Sequence, residues 1–323
     1  LCFSQKLRVE ANFNVNSGNS LSYSGTMAGT GTKTFTVSSG ATVTLTNTAT
    51  LPSGFASLAL NSTSTVNYNG SGTQYVGNYN YGNLTFSNSG SRTLASSGTI
   101  GISSTFTPGT NSCTITGSTI NFNGTGAQTV PAFNYNSLII SGARTVNSVT
   151  LANGGTIGIA GSFTTSATFS SGSYIITNNT IDFNSTGAQS IGIFNYYNLT
   201  ISGARTTANV TLPSGTIGIA NTFTPAATFT SGTYSKVSTN IIDFNGTGAQ
   251  TVPAFDYMYL KISGTRTTNI VTLVNGGTIG VAGATNAISL TATFTSGTYV
   301  NTNNTINFNS SSAQNVTIPA AGF

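Results

Sequence analysis

The sequence predicts an all-β chain, a right-handed parallel β-solenoid, on three observations. Apolar and polar residues alternate with period two, as in Thr180-Ile181-Asp182-Phe183-Asn184, Leu199-Thr200-Ile201-Ser202 and Val210-Thr211-Leu212, the pattern of half-buried strands. Blocks of this pattern recur along the chain. No window carries helical spacing with helix formers, and the abundant Thr, Ser, Asn and Gly are weak helix residues. Tandem small antiparallel β-sandwich modules are the alternative that meets the same pattern.

The repeat is legible directly. FNGTGAQTVPAF occurs at Phe122–Phe133 and again, unchanged, at Phe244–Phe255, an interval of 122 or twice 61. FNSTGAQSIGIF stands between them from Phe183, and weaker copies start at Tyr68 and Phe308. The glutamines Gln74, Gln128, Gln189, Gln250 and Gln314 are spaced by 54, 61, 61 and 64, and Arg92, Arg144, Arg205 and Arg266 by 52, 61 and 61. A 61-residue unit is short beside the roughly 100 residues of an independent β-sandwich. No linker separates the units, and residues that stack on their own kind recur in register. Both points favour coils stacked about 4.8 Å apart.

The elements follow in order. Residues 1–64 hold a leader remnant, an N-terminal cap and opening coils: Leu1-Cys2-Phe3-Ser4-Gln5 reads as the end of a signal peptide, with lipid attachment at Cys2 as an alternative. Strands are expected at 34–37 and 41–45 around a Ser-Ser-Gly turn, with Lys6, Arg8 and Glu10 forming a charge cluster in the cap. Repeat 1, degenerate, spans 65–118, and repeats 2, 3 and 4 span 119–179, 180–240 and 241–304. A truncated fifth begins at 305–323, so that the natural chain continues or a partner covers its end. Within repeat 3, six strands are expected near 180–184, 188–194, 197–202, 206–212, 216–223 and 227–236.

Composition restricts the chemistry. Of 323 residues, 9 are Lys or Arg, 4 are Asp or Glu and none is His, which removes the commonest general base and imidazole metal ligand. An enzyme is not expected, nor any cofactor. The net charge of +5 is spread over cations of which no two are adjacent, and four of the nine are one arginine repeated. No basic patch forms for nucleic acid. No apolar stretch approaches the roughly 18–20 residues of a transmembrane helix. Cys113 stands where other copies carry Ser or Thr and reads as a small substitute rather than a reactive thiol.

Three repeated residue types remain. Asp182 and Asp243 share a position that Asn121 and Asn307 fill elsewhere, which reads as a solvent-facing ladder site. The arginines Arg92, Arg144, Arg205 and Arg266 admit a line of cations against an acidic surface, or guanidinium groups that bind turn carbonyls while their stems cover apolar surface; the second is favoured. The line Tyr68, Phe122, Phe183, Phe244 and Phe308 points inward. Tyr81, Tyr135, Tyr196 and Tyr257, beside a turn, are candidate glycan contacts together with the arginines. Thr-rich faces offer an ice-binding alternative, but Gly, Ser and Pro interrupt them.

The segment GTGAQTVPAFNYNSLIISGARTVNSVTLANGGTIGIAG resembles the repeats of very large secreted bacterial surface proteins, the β-strand-repeat, adhesin-like proteins of Bacteroidota-type bacteria. The likeness covers about residues 61–323. It implies export across the outer membrane, commonly by a type IX route, and work as an adhesin or cell-surface filament, with the chain itself, surfaces and glycans as partners. The C-terminal sorting domain of such proteins is not seen in the sequence.

Overall fold

The computed structural model describes residues 2–3 and 5–314. The Cys2 thiol and segment 315–323, on which a lipid site and most of a fifth unit are expected, lie outside the described residues. All regular elements there are β-strands, and every strand pair with a defined register is parallel, from Cys2–Phe3 on Ser20–Tyr23 to Thr278–Val281 on Thr305–Phe308. The chain is a parallel β-solenoid of about 13 turns, some 23 residues apart. It divides into two compact units: Leu1–Ala152 with Thr164–Ile175, and Asn153–Phe163 with Ile176–Phe323.

In the first unit a turn passes through three short strands before it meets its own lattice again. Ser20–Tyr23, Met27–Gly29 and Thr34–Val37 are followed by Thr42–Thr46, which lies on Ser20–Tyr23. The period-two pattern then becomes columns of like side chains. Leu21, Val43, Val66, Leu84 and Phe106 stack in register inside, none more than 3% exposed. Ser20, Thr42, Thr65 and Asn83 stack outside. Burying each aliphatic residue contributes about 1.5–3 kcal/mol before the entropy of ordering is set against it. Leu7–Val9 and Phe13–Val15 already belong to this lattice, on Met27–Gly29 and Thr34–Val37. Arg8 and Glu10 of the predicted cap cluster form an exposed ion pair at 3.4 Å.

The second unit repeats the scheme. Ile157, Ile181, Leu199 and Phe223 form one inner column and Ile217, Ile242, Leu260 and Ile288 another. Within residues 180–240 the structure has eight strands rather than six. Ala204–Arg205 is a short strand of its own, and the segment expected at 227–236 splits into Thr228–Phe229 and Tyr234–Lys236. Corners are set by glycines in the left-handed region: Gly142, Gly203 and Gly264 have φ of 94°, 92° and 93°. Any side chain is strained there, and a Cβ at Gly203 would lie 2.4 Å from the Ser185 carbonyl oxygen. No helix among the described residues is long and apolar enough to cross a membrane.

Candidate functional site

The candidate contact residues lie inside the coil. Arg92, Arg144, Arg205 and Arg266 are between 0% and 2% exposed, and each guanidinium is folded back onto the turn that carries it. Arg144 donates from Nη1 to the Ser141 carbonyl at 2.7 Å, from Nε to the Gly126 carbonyl at 3.2 Å and from Nη2 to Gln128 Oε1 at 2.6 Å. Arg205 does the same with Ser202, Gly187 and Gln189, and Arg266 with Ser263, Gly248 and Gln250. A surface-contact role for these cations is therefore corrected. A guanidinium with five donors in a planar fork suits several carbonyls at one corner, which is the turn role favoured from the sequence. Burial pulls each arginine below its ordinary pKa, yet guanidinium stays protonated across any useful range.

Each glutamine joins its arginine to the preceding turn. Gln128 Nε2 donates to the Ile102 and Ser104 carbonyls, while its Oε1 accepts from the Gly124 amide as well as from Arg144. Gln189 and Gln250 repeat these contacts. The partnership depends on spacing. Glutamine precedes arginine by 16 residues in the three regular copies and by 18 in the first, Gln74 to Arg92. There Arg92 turns to the Tyr68, Ser87 and Gly90 carbonyls, and its Nε is buried without a partner.

The tyrosines also turn inward. Tyr81, Tyr135, Tyr196 and Tyr257 are no more than 1% exposed. Each hydroxyl donates to the carbonyl four residues earlier, of Gly77, Pro131, Gly192 and Pro253, at 2.8–3.1 Å. Their rings are out of a glycan's reach, and that candidate role is corrected too. The reason is alternation: in Phe133-Asn134-Tyr135 the exposed residue is Asn134, so Tyr135 faces the core. Tyr68, Phe122, Phe183 and Phe244 are fully buried, as expected, whereas Phe308 is 37% exposed.

The aspartates are less open than a solvent ladder requires. Asp182 accepts from Ser202 Oγ at 2.9 Å. Asp243 is 5% exposed and meets Lys261 Nζ at 3.1 Å and Ser263 Oγ at 2.8 Å. Burial pushes the Cys113 thiol up to about 12, so it carries almost no thiolate at neutral pH.

A polar feature without a sequence forecast lies on the outer face. Asn123 Nδ2 donates to Asn80 Oδ1, Asn245 Nδ2 to Asn195 Oδ1 and Asn309 Nδ2 to Asp256 Oδ1, each at 2.8 Å. Each bridge crosses a glycine of the intervening strand, Gly101, Gly218 or Gly280. A Cβ there would lie 2.1–2.2 Å from the bridging oxygen. These glycines end Thr-Ile-Gly triplets that begin at Thr99, Thr216 and Thr278, but nothing in such a triplet announces that residues 43–53 apart meet above its glycine. No family model matches the chain, and no curated protein or solved structure matches it.

Proposed function

We propose that the chain is an extracellular structural and adhesive repeat protein of the bacterial cell surface, a non-enzymatic coil that presents neutral faces to surfaces, glycans or further copies of itself. The observation that carries the reading is where the ionisable groups go. The four repeated arginines are consumed in closing the coil's corners, and the outer columns of the first unit are hydroxyls and carboxamides. Such a face makes many weak uncharged contacts, and the ladder beneath it resists local opening. On this reading the 61-residue unit is the building block of the coil. The path is right-handed, the hand that parallel crossovers favour. Export by a type IX route follows from the resemblance alone.

Display on a host cell without adhesins tests the proposal. Cells that carry the chain should attach to glass, polystyrene or glycan-coated beads several-fold more than bare cells. Equal attachment, or cleavage of a polysaccharide by the purified chain, overturns it. A carbohydrate-binding module is the second reading, and one surface hollow supports it.

A further inference from the structure

We infer that a hollow on the outer face of the second unit, beside Tyr197, binds a neutral sugar ring. The inference deepens the second reading and does not depend on attachment by the rest of the coil. The hollow, about 470 Å3, is lined by Asn195, Tyr197, Asn221, Asn245, Thr247 and short glycine- and alanine-bearing backbone. That volume lies in the range of small-ligand sites.

Its position is set by an irregularity in the lattice. Asn195–Ile201 and Gly215–Pro225 pair in register at Tyr196 and Ile219 and again at Asn198 and Thr222, so one residue, Tyr197, faces two, Ala220 and Asn221. A bulge of this kind re-aims side chains and is common beside binding sites. Here all three residues of the mismatch line the hollow. At the equivalent position eight residues after the repeat glutamine, the neighbouring copies carry Asn136 and Met258, so the aromatic ring belongs to this copy alone. Tyr197 is partly exposed. Unlike Tyr196, it is not drawn into the core, and among the described residues its ring and hydroxyl have no partner.

The lining chemistry selects the ligand. A pyranose offers an apolar C–H face, which packs on an aromatic ring, and hydroxyls that each donate and accept. Tyr197 supplies the ring. Asn221 donates its Nδ2 to Asn198 Oδ1 at 2.7 Å and keeps its own Oδ1 free to accept. Asn195 accepts from Asn245 at Oδ1 and keeps its Nδ2 free to donate. Thr247 is exposed beside them. The bridge fixes Asn195 in place; Asn245 Oδ1 is itself buried without a partner, as Asn123 Oδ1 is at the equivalent bridge. No charged side chain lines the hollow, so a uronate, a sialylated glycan or a phosphate meets no cation there.

The test is an array of neutral and acidic oligosaccharides probed with the full chain, its Tyr197→Asn variant, which copies Asn136, and its Asn221→Ala variant. The wild-type chain should be retained on neutral oligosaccharides and bind them about tenfold more tightly than either variant, with thermal unfolding unchanged. No retention on any neutral oligosaccharide, preference for acidic ones, or undiminished binding by a folded Tyr197→Asn chain overturns the site. Should Tyr197→Asn fail to fold, Asn221→Ala reads the same hollow. Unaltered attachment of displayed Tyr197→Asn cells alongside an empty array defeats the sugar site and leaves the adhesive reading standing.

Discussion

A buried arginine with no carboxylate beside it is costly unless every donor finds an acceptor. Arg144, Arg205 and Arg266 come close to that condition: all three nitrogens of each donate, to carbonyls and to one glutamine oxygen. Arg92 lacks the glutamine, because two extra residues separate it from Gln74. A double-mutant cycle separates the two arrangements. Arg144→Leu with Gln128→Ala should show a coupling of about 1 kcal/mol or more in denaturant unfolding, since the two side chains share a bond. Arg92→Leu with Gln74→Ala should show clearly less. Each Arg→Leu change alone strands buried carbonyls and should cost roughly 1–3 kcal/mol. Equal coupling in both cycles would refute the spacing argument.

At the scale of elements, much was legible and the rest failed for identifiable reasons. Alternation located the strands because one face of most strands is core, and Ile181 and Phe183 obey it as plainly as Leu199 and Ile201 do. Tyr196 obeys it too. Reading it as a turn neighbour led to the opposite assignment. The arginine corners were legible as a turn device because Gly142, Gly203 and Gly264 precede them at a fixed offset. The glutamine's role was not: its 16-residue separation from arginine acquires meaning only once a turn returns the chain to the same corner. The Asn195–Asn245 bridge spans 50 residues, and no local pattern encodes a contact that depends on which strand becomes the next neighbour. The bulge at Tyr197 was hidden for the same reason, since a register break is a property of two strands together.

At the scale of the whole chain, titration behaviour follows from what is absent and what is buried. Burial pushes the phenols of Tyr23, Tyr68, Tyr81, Tyr135, Tyr196 and Tyr257 above their ordinary pKa of 10.0. Folded-state pKa values above the unfolded ones mean that this stability is fully present below about pH 10. It is lost as pH rises beyond, by up to about 1.4 kcal/mol per unit for each tyrosine that ionises on unfolding. On the acid side only four carboxylates exist. Asp256 is pushed up by burial but held below its ordinary value on balance by hydrogen bonds from Lys236 and Asn309, so its contribution fades as pH falls through that lowered value. Melting temperature should therefore stay nearly flat from about pH 5 to 9 and collapse above 10 together with the appearance of tyrosinate absorbance. A steep loss between pH 5 and 7 would contradict the burial pattern.

On the proposed function, contact is left to uncharged parts of the outer face because the repeated cations are spent inside the coil. The most direct measurement is attachment of cells displaying the chain as ionic strength rises from about 0.01 M to 1 M, over which the Debye length shrinks from about 30 Å to 3 Å. Attachment that holds within twofold across this range is the predicted result. A tenfold or greater loss at high salt would show that exposed charge makes the contact, and would contradict the account.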